Sequence, residues 1–111
     1  MITIDNIINT YCLGQGVDIG VGNMAYCPRE RTKYIDKYVD GHSGCKDPDI
    51  VADASNIPIS DSIIDFVFSS HCLEHVPNAL RVLKELLRIL KVGGTLCLIL
   101  PSYMTIDSMR K

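Results

Sequence analysis

A series of short apolar segments, separated by connections rich in glycine, proline and aspartate, constrains the fold of this chain more than any other feature. Residues 63–69 (IIDFVFS) show it best, because β-branched and aromatic side chains are typical of strands. Similar stretches are bounded by turn-forming residues. Together they predict five strands, at residues 17–19, 34–38, 50–53, 63–69 and 95–100.

Two segments have helical rather than strand spacing. Residues 2–12 place apolar side chains on one face and end before Gly14, and residues 77–91 predict a longer helix. In the longer helix we expect Pro77 in the first turn and Gly93 at the C-terminal cap. Its predicted core face carries Leu80, Leu83, Leu86, Leu87 and Leu90. Its predicted solvent face carries Arg81, Lys84, Glu85, Arg88 and Lys91.

Strands that alternate with loops and helices predict an α/β fold. We expect a Rossmann-like, mainly parallel sheet of about five strands in a single domain over residues 1–111. Residues 20–33 contain Pro28, several charges and little periodicity, so a loop-like crossover is expected between the first two strands.

Composition excludes several classes of function. The chain has 111 residues and a formal net charge of -2, which gives no basic surface for nucleic acid. The longest apolar run, at 96–100, is far short of the ~20 residues that span a bilayer, and no secretory signal is apparent. We therefore expect neither a nucleic-acid nor a membrane partner.

The cysteine pattern predicts a reduced, cytoplasmic protein. The 5 cysteines are odd in number and widely spaced, and they contain no C-x-x-C pair. A zinc site from Cys27, His42 and Cys45 lacks a second paired cluster, so scattered apolar thiols are the favoured interpretation and no metal is expected.

The residues at the predicted strand ends have chemistry suited to a nucleoside ligand, and ligands of parallel sheets bind at those ends. Gly20 and Gly22 allow a sharp turn and a close backbone approach. Asp36 can accept two hydrogen bonds from ribose hydroxyls, and Asp53 can accept one from the exocyclic amine of adenine. Asp18 can help to hold an ammonium group.

Two other motifs compete with this interpretation. His71 and His75 belong to an H-x-x-E-H sequence like that of some zinc proteases. The motif follows a strand directly and precedes Pro77 closely, so a metalloprotease is not favoured. Residues 20–25 fit the dinucleotide pattern G-x-G-x-x-A, but Pro28 and the following charges interrupt the helix that this pattern requires. A nicotinamide-dependent oxidoreductase is therefore a weaker alternative.

Four motifs occur in one order: DIGVG at 18–22, DA at 53–54, IIDFVFSSHCLEHV at 63–76 and LRILKVGGTL at 87–96. In this order they resemble a class I S-adenosylmethionine-dependent methyltransferase of the small-molecule type. The resemblance implies S-adenosylmethionine as cofactor and methyl transfer to a small-molecule acceptor. The residues that it assigns to cofactor binding are Asp18, Gly20, Gly22, Asp36, Asp53, Ala54, Ser69, Ser70 and His71.

The resemblance leaves the catalytic group and the acceptor open. His71 is the candidate general base if the acceptor is a hydroxyl, and capping of the turn is its alternative role. Met24 replaces a frequent third glycine of the family, and Val92 replaces the usual proline.

The family fold has seven strands, so we expect a truncated core whose fifth strand is exposed. Because the edge of that strand leaves backbone groups unpaired, we expect a homo-oligomer or a missing partner there. A non-catalytic binding subunit is the alternative function.

Overall fold

A computed structural model describes residues 3–21, 25–37, 47–70 and 77–100. All strand pairs are parallel, and the sheet order is β3-β2-β1-β4-β5. This confirms the predicted Rossmann-like α/β sheet. In chain order the elements are α1 (Ile4–Tyr11), β1 (Gly16–Ile19), a 3₁₀ turn (Arg29–Arg31), β2 (Thr32–Asp36), β3 (Ile50–Val51), β4 (Ile64–Ser70), α2 (Ala79–Ile89) and β5 (Leu90–Ile99).

The sheet separates two apolar clusters because successive strand residues point to opposite faces. In β4, Val67 belongs to the cluster that contains Val82 and Leu86 of α2. Its neighbours Phe66 and Phe68 belong to the other cluster, together with Ile8 of α1. We call the first cluster the α2-side core and the second the α1-side cluster. The two helices therefore cover opposite faces, which is the layering expected of a doubly wound sheet.

Gly16 of β1 leaves room for the fully buried ring of Phe66 on the neighbouring strand β4. It pairs with Phe66 in the parallel register, and a Cβ at Gly16 would lie 2.4 Å from the Phe66 ring. Phe66 has no exposed surface, so its ring cannot move aside. Glycine is therefore required here by the space that the ring occupies, rather than by backbone conformation.

Both termini of α2 differ from the sequence prediction. The helix begins after its N-cap Asn78, whose side chain accepts from the Arg81 N–H, so Pro77 precedes the cap and lies outside the first turn. The chain then passes directly into β5 at Leu90, which pairs with Ile64. Gly93 has φ +84 but lies inside the strand segment, so its predicted capping role is wrong. Pairing with β4 explains the early strand start.

The predicted leucine face of α2 is also partly wrong. Leu80 and Leu87 are 63% and 57% exposed, whereas Val82, Leu86 and Ile89 are buried. The helix is rotated about its axis relative to the predicted orientation, because docking on the sheet selects this face.

The described part of the crossover between β1 and β2, residues 20–21 and 25–31, is loop-like, as predicted. Over the described part of this connection the regular structure is a single 3₁₀ turn, which Arg29, Glu30 and Arg31 form. Across the described ranges, no helix has the length and apolar character to cross a bilayer.

Candidate functional site

Parallel register brings those predicted site residues that the structure describes to the carboxyl-end side of the sheet. Ile19 of β1 is level with Ile35 of β2 and with Ser69 of β4. Asp36 and Ser70 are the next residues of their strands, and Asp36 is level with Val51 of β3. The carboxyl ends of four strands therefore meet, as the sequence analysis expected of the ligand-binding edge.

Asp18 is a buried carboxylate that the fold does not fully satisfy. Its side chain is 2% exposed, and the Oδ2 atom has no hydrogen-bond partner among the described residues. The backbone of Cys27 and that of Tyr26 favour the charged carboxylate and lower the pKa of Asp18. Burial nevertheless raises the pKa of Asp18 to about 7, and the nearby negative charge of Asp36 adds to this. Such a group has unused capacity for a cationic or hydrogen-bond donor ligand.

Titration of Asp18 predicts a dependence of stability on pH. A carboxyl whose pKa rises on folding stabilises the fold fully below about pH 4, and this stabilisation is lost as pH rises through about 7. Asp18→Asn keeps a neutral side chain of the same shape at all pH values. We expect the cofactor-free native chain to lose about 2 kcal/mol more unfolding free energy between pH 5 and pH 8 than this variant.

Urea unfolding of both proteins at the two pH values measures this difference. Equal losses in the native chain and in Asp18→Asn would show that Asp18 does not titrate between pH 5 and pH 8.

Gly20 and Asp36 lie side by side at the ends of β1 and β2. Gly20 has φ +66, a conformation that favours glycine, and its N–H donates to Ile35 O at 2.8 Å. Asp36 is 6% exposed, and its carbonyl oxygen accepts from Ala52 N at 3.1 Å. The turn of β1 is thereby tied to β2, and β2 to β3, directly beside the Asp36 carboxylate.

Asp53 organises the turn that follows β3. Its Oδ1 accepts from the backbone N–H and the hydroxyl of Ser55, at 2.9 and 2.8 Å. Its Oδ2 lies 3.4 Å from Lys37 Nζ. The Ser55 bonds, with Lys37, lower the pKa of Asp53, so the carboxylate stays charged. Ala54 packs against the α2-side core.

The two serines at the end of β4 differ in role. Ser69 is buried, and its hydroxyl donates to Ile19 O at 3.0 Å, which ties β4 to β1. Ser70 is half-buried at the last position of the strand. The Ser69 hydroxyl thus links two strands, and Ser70 is the serine at the strand end; the cofactor-binding roles of both stay predictions.

Two of the predicted site residues, Gly22 and His71, lie outside the described residues, as do Met24 and His75. Their roles stay predictions. The sequence analysis missed Lys37 and Ser55, which hold the Asp53 carboxylate. The D-A-S sequence was the available signal for Ser55, because serine two positions after aspartate commonly closes an Asx turn.

Comparison with known proteins identifies the family. Residues 16–98 match the family model described as a methyltransferase domain. The chain belongs to this methyltransferase family. The resemblance noted in the sequence is thereby confirmed, and with it S-adenosylmethionine as the cofactor of the fold.

Two sequence relatives illustrate the range of this methyltransferase family. A sterol 4-C-methyltransferase of Caenorhabditis elegans is 26% identical over 98 residues, covering 78% of this chain and 29% of the relative. A demethylmenaquinone methyltransferase of Staphylococcus haemolyticus is 35% identical over 72 residues, covering 65% of this chain and 26% of the relative. Both are named as methyltransferases, and neither supports the alternative of a non-catalytic binding subunit.

A solved structure has the same fold as this chain. It is a Methanococcus maripaludis protein assigned as an S-adenosylmethionine-dependent methyltransferase, with a TM-score of 0.63 and 23% identity. The match covers 96% of this chain and 60% of that one, and it shows the shared fold. The chain thus spans less than a third of the two sequence relatives and about three fifths of the solved chain.

The described residues fit the methyltransferase cofactor chemically. A buried carboxylate with an unpartnered oxygen suits an ammonium group, and a second buried carboxylate at a strand end suits a ribose. The positive φ at Gly20 gives the close backbone approach that such a ligand needs.

Proposed function

We propose that this chain binds S-adenosylmethionine at the carboxyl ends of β1 to β4 and that the protein transfers the methyl group to a small-molecule acceptor. The observation that carries the proposal is the pair of buried carboxylates, Asp18 and Asp36, on neighbouring strands beside Gly20. Burial of the Asp18 carboxylate, whose Oδ2 has no hydrogen-bond partner among the described residues, destabilises the fold unless a ligand compensates it. The ammonium group of the cofactor supplies that compensation, and the ribose hydroxyls are donors for the neighbouring Asp36.

In the proposed division of roles, which the family resemblance implies, Asp18 faces the ammonium group and Asp36 the ribose. The Asp53–Ala54 turn faces the adenine, and Gly20 provides the close approach. The bound cofactor supplies a reactive sulfonium methyl group. The chain's own residues bind and align the reactants, so the absence of an obvious nucleophile from the motifs is not an obstacle.

The acceptor is proposed only as a small molecule, because the two sequence relatives are named for chemically different acceptors, a sterol and demethylmenaquinone. For a hydroxyl acceptor, His71 is the proposed general base, since in the sequence it comes directly after Ser70, the last residue of β4.

Calorimetric titration of the purified chain with S-adenosylhomocysteine tests the proposal. The demethylated product binds without turnover, and NAD serves as the control ligand. Micromolar binding of S-adenosylhomocysteine with no response to NAD is the expected result. Binding of NAD instead, or no binding of either ligand to a folded sample, contradicts the proposed cofactor site.

We also propose that β5 pairs with a second copy of this chain. It is an edge strand of the described sheet. The residues from Gly94 to Ile99 are only partly buried, whereas most residues of β4 are buried. Unpaired backbone groups and apolar side chains on such an edge favour strand addition. Sedimentation at tens of micromolar is expected to detect a dimer, and a strictly monomeric species would refute this pairing.

A further inference from the structure

Arg88, on the last turn of α2, binds the connection that follows the Asp53 turn. Its guanidinium donates to Ile57 O at 2.9 Å, to Ile59 O at 2.8 Å and to Asp61 Oδ1 at 2.6 Å. It also pairs with both carboxylate oxygens of Glu85, at 2.7 and 2.9 Å. Five hydrogen bonds from one side chain fix the path of a segment that has no regular secondary structure.

Glu85 completes the arrangement. Its Oε2 accepts from Ile57 N at 2.6 Å, so the two side chains together bind both the N–H and the C=O of Ile57. The Glu85 side chain is 13% exposed and that of Arg88 33%, although both were predicted on the solvent face. We call Glu85 and Arg88 the α2 clamp.

The α2 clamp fixes one end of the turn that carries the proposed adenine contact. Ile57 is 2% exposed and belongs to the core, and the turn Asp53–Asn56 ends immediately before it, closed by the bond from Asn56 N to Asp53 O at 3.0 Å. The other end of the turn is fixed at Ala52, which donates to Asp36 O. The position of the Asp53 carboxylate therefore depends on β2 at one end and on α2 at the other.

We propose that Glu85 and Arg88 are positioning residues of the cofactor site, which act by holding the Asp53–Ala54 turn in place to recognise the exocyclic amine of adenine. This inference rests on the proposed cofactor function. Neither side chain contacts the cofactor in this scheme. Their effect passes through the backbone of Ile57, and the recognition depends on where that backbone places Asp53.

The test compares binding of S-adenosylhomocysteine with binding of S-inosylhomocysteine, in which a carbonyl oxygen replaces the exocyclic amine. A merely structural role would lower thermal stability or weaken both ligands alike. A positioning role changes the ratio of the two dissociation constants. In the native chain, S-adenosylhomocysteine is expected to bind about tenfold more tightly, because the analogue presents a carbonyl oxygen to the Asp53 carboxylate in place of the exocyclic amine donor.

Arg88→Met keeps an unbranched apolar stem but removes all five donors. It is expected to reduce this ratio about fivefold. Glu85→Gln keeps an acceptor for Ile57 and weakens the hold on Arg88, so a smaller reduction is expected. If Arg88→Met does not fold, the ratio of dissociation constants measured for Glu85→Gln tests the positioning role instead. Lys91→Gln is the matched control, because it breaks an ion pair with Asp65 at 3.0 Å that does not contact the turn. Its ratio should equal that of the native chain.

Each result bears on one proposal in particular. An unchanged ratio in a folded clamp variant overturns the positioning role and leaves the cofactor function intact. A native chain that binds both ligands equally overturns the adenine role of Asp53 together with the clamp. A native chain that binds neither ligand overturns the proposed function itself.

Discussion

Asp36→Ala is expected to weaken binding of S-adenosylhomocysteine about a hundredfold. The Asp36 carboxylate is 6% exposed at the carboxyl end of β2, and in the proposed complex it accepts two hydrogen bonds from the ribose. Hydrogen bonds to a charged group contribute about 1.5–3 kcal/mol each, so losing both costs about 3 kcal/mol or more. Calorimetric titration of the native and variant chains measures the change in Kd.

Asp36→Asn is the matched control for this prediction. The amide keeps the shape of the side chain and one acceptor oxygen, so a loss of about tenfold is expected. Thermal unfolding of each variant without ligand separates loss of binding from loss of fold. Affinity within a factor of two of the native value in folded Asp36→Ala would exclude a ribose contact at this position.

Phe66→Ala is expected to lower the free energy of unfolding by about 3–5 kcal/mol. The ring is fully buried in β4, where it packs with Ile8 and Cys12 of the α1-side cluster and fills the space left by Gly16. The Arg31 guanidinium also lies 5.5 Å from its centroid. Because small domains have only about 5–15 kcal/mol of stability, this single change removes a large share of it. Urea unfolding monitored by circular dichroism measures the loss.

Leu80→Ala provides the comparison within the same chain. Leu80 is 63% exposed on α2, so its truncation should change the free energy of unfolding by no more than about 0.5 kcal/mol. A loss above 2 kcal/mol would restore the predicted leucine face and contradict the observed orientation of α2. A loss below 1 kcal/mol for Phe66→Ala would show that the α1-side cluster contributes little to stability.

Strand prediction was accurate where the local composition strongly favours a strand over a helix or a loop. Residues 63–69 were predicted and Ile64–Ser70 is observed, because a run of β-branched and aromatic side chains buried on both faces suits a central parallel strand. The second strand was predicted two residues late, at 34–38 instead of Thr32–Asp36. Its start depends on pairing of Thr32 with Gly16, which no local pattern reveals.

The candidate site was only partly predictable for the same reason. The predicted strands placed Asp18 on the first strand and Asp36 on the second. Only the structure showed that Asp36 is the last residue of β2. The raised pKa of Asp18 did not follow from the sequence, since it arises from burial and from a neighbouring strand. The bond between Asp53 and Ser55 was missed although the D-A-S sequence signals it, whereas the pairing of Asp53 with Lys37 requires that the ends of β2 and β3 meet.

By itself, the sequence determined the fold class, the strand-end motifs and the methyltransferase family, because these depend on side chains close together in the chain. Only the tertiary structure decided which face of α2 is buried, where α2 gives way to β5, and that Glu85 and Arg88 hold Ile57. Ile57 and Arg88 are 31 positions apart, and their contact exists only after α2 docks on the sheet. The charged residues of the α2 clamp were therefore predicted as solvent-facing, although packing gives them backbone partners.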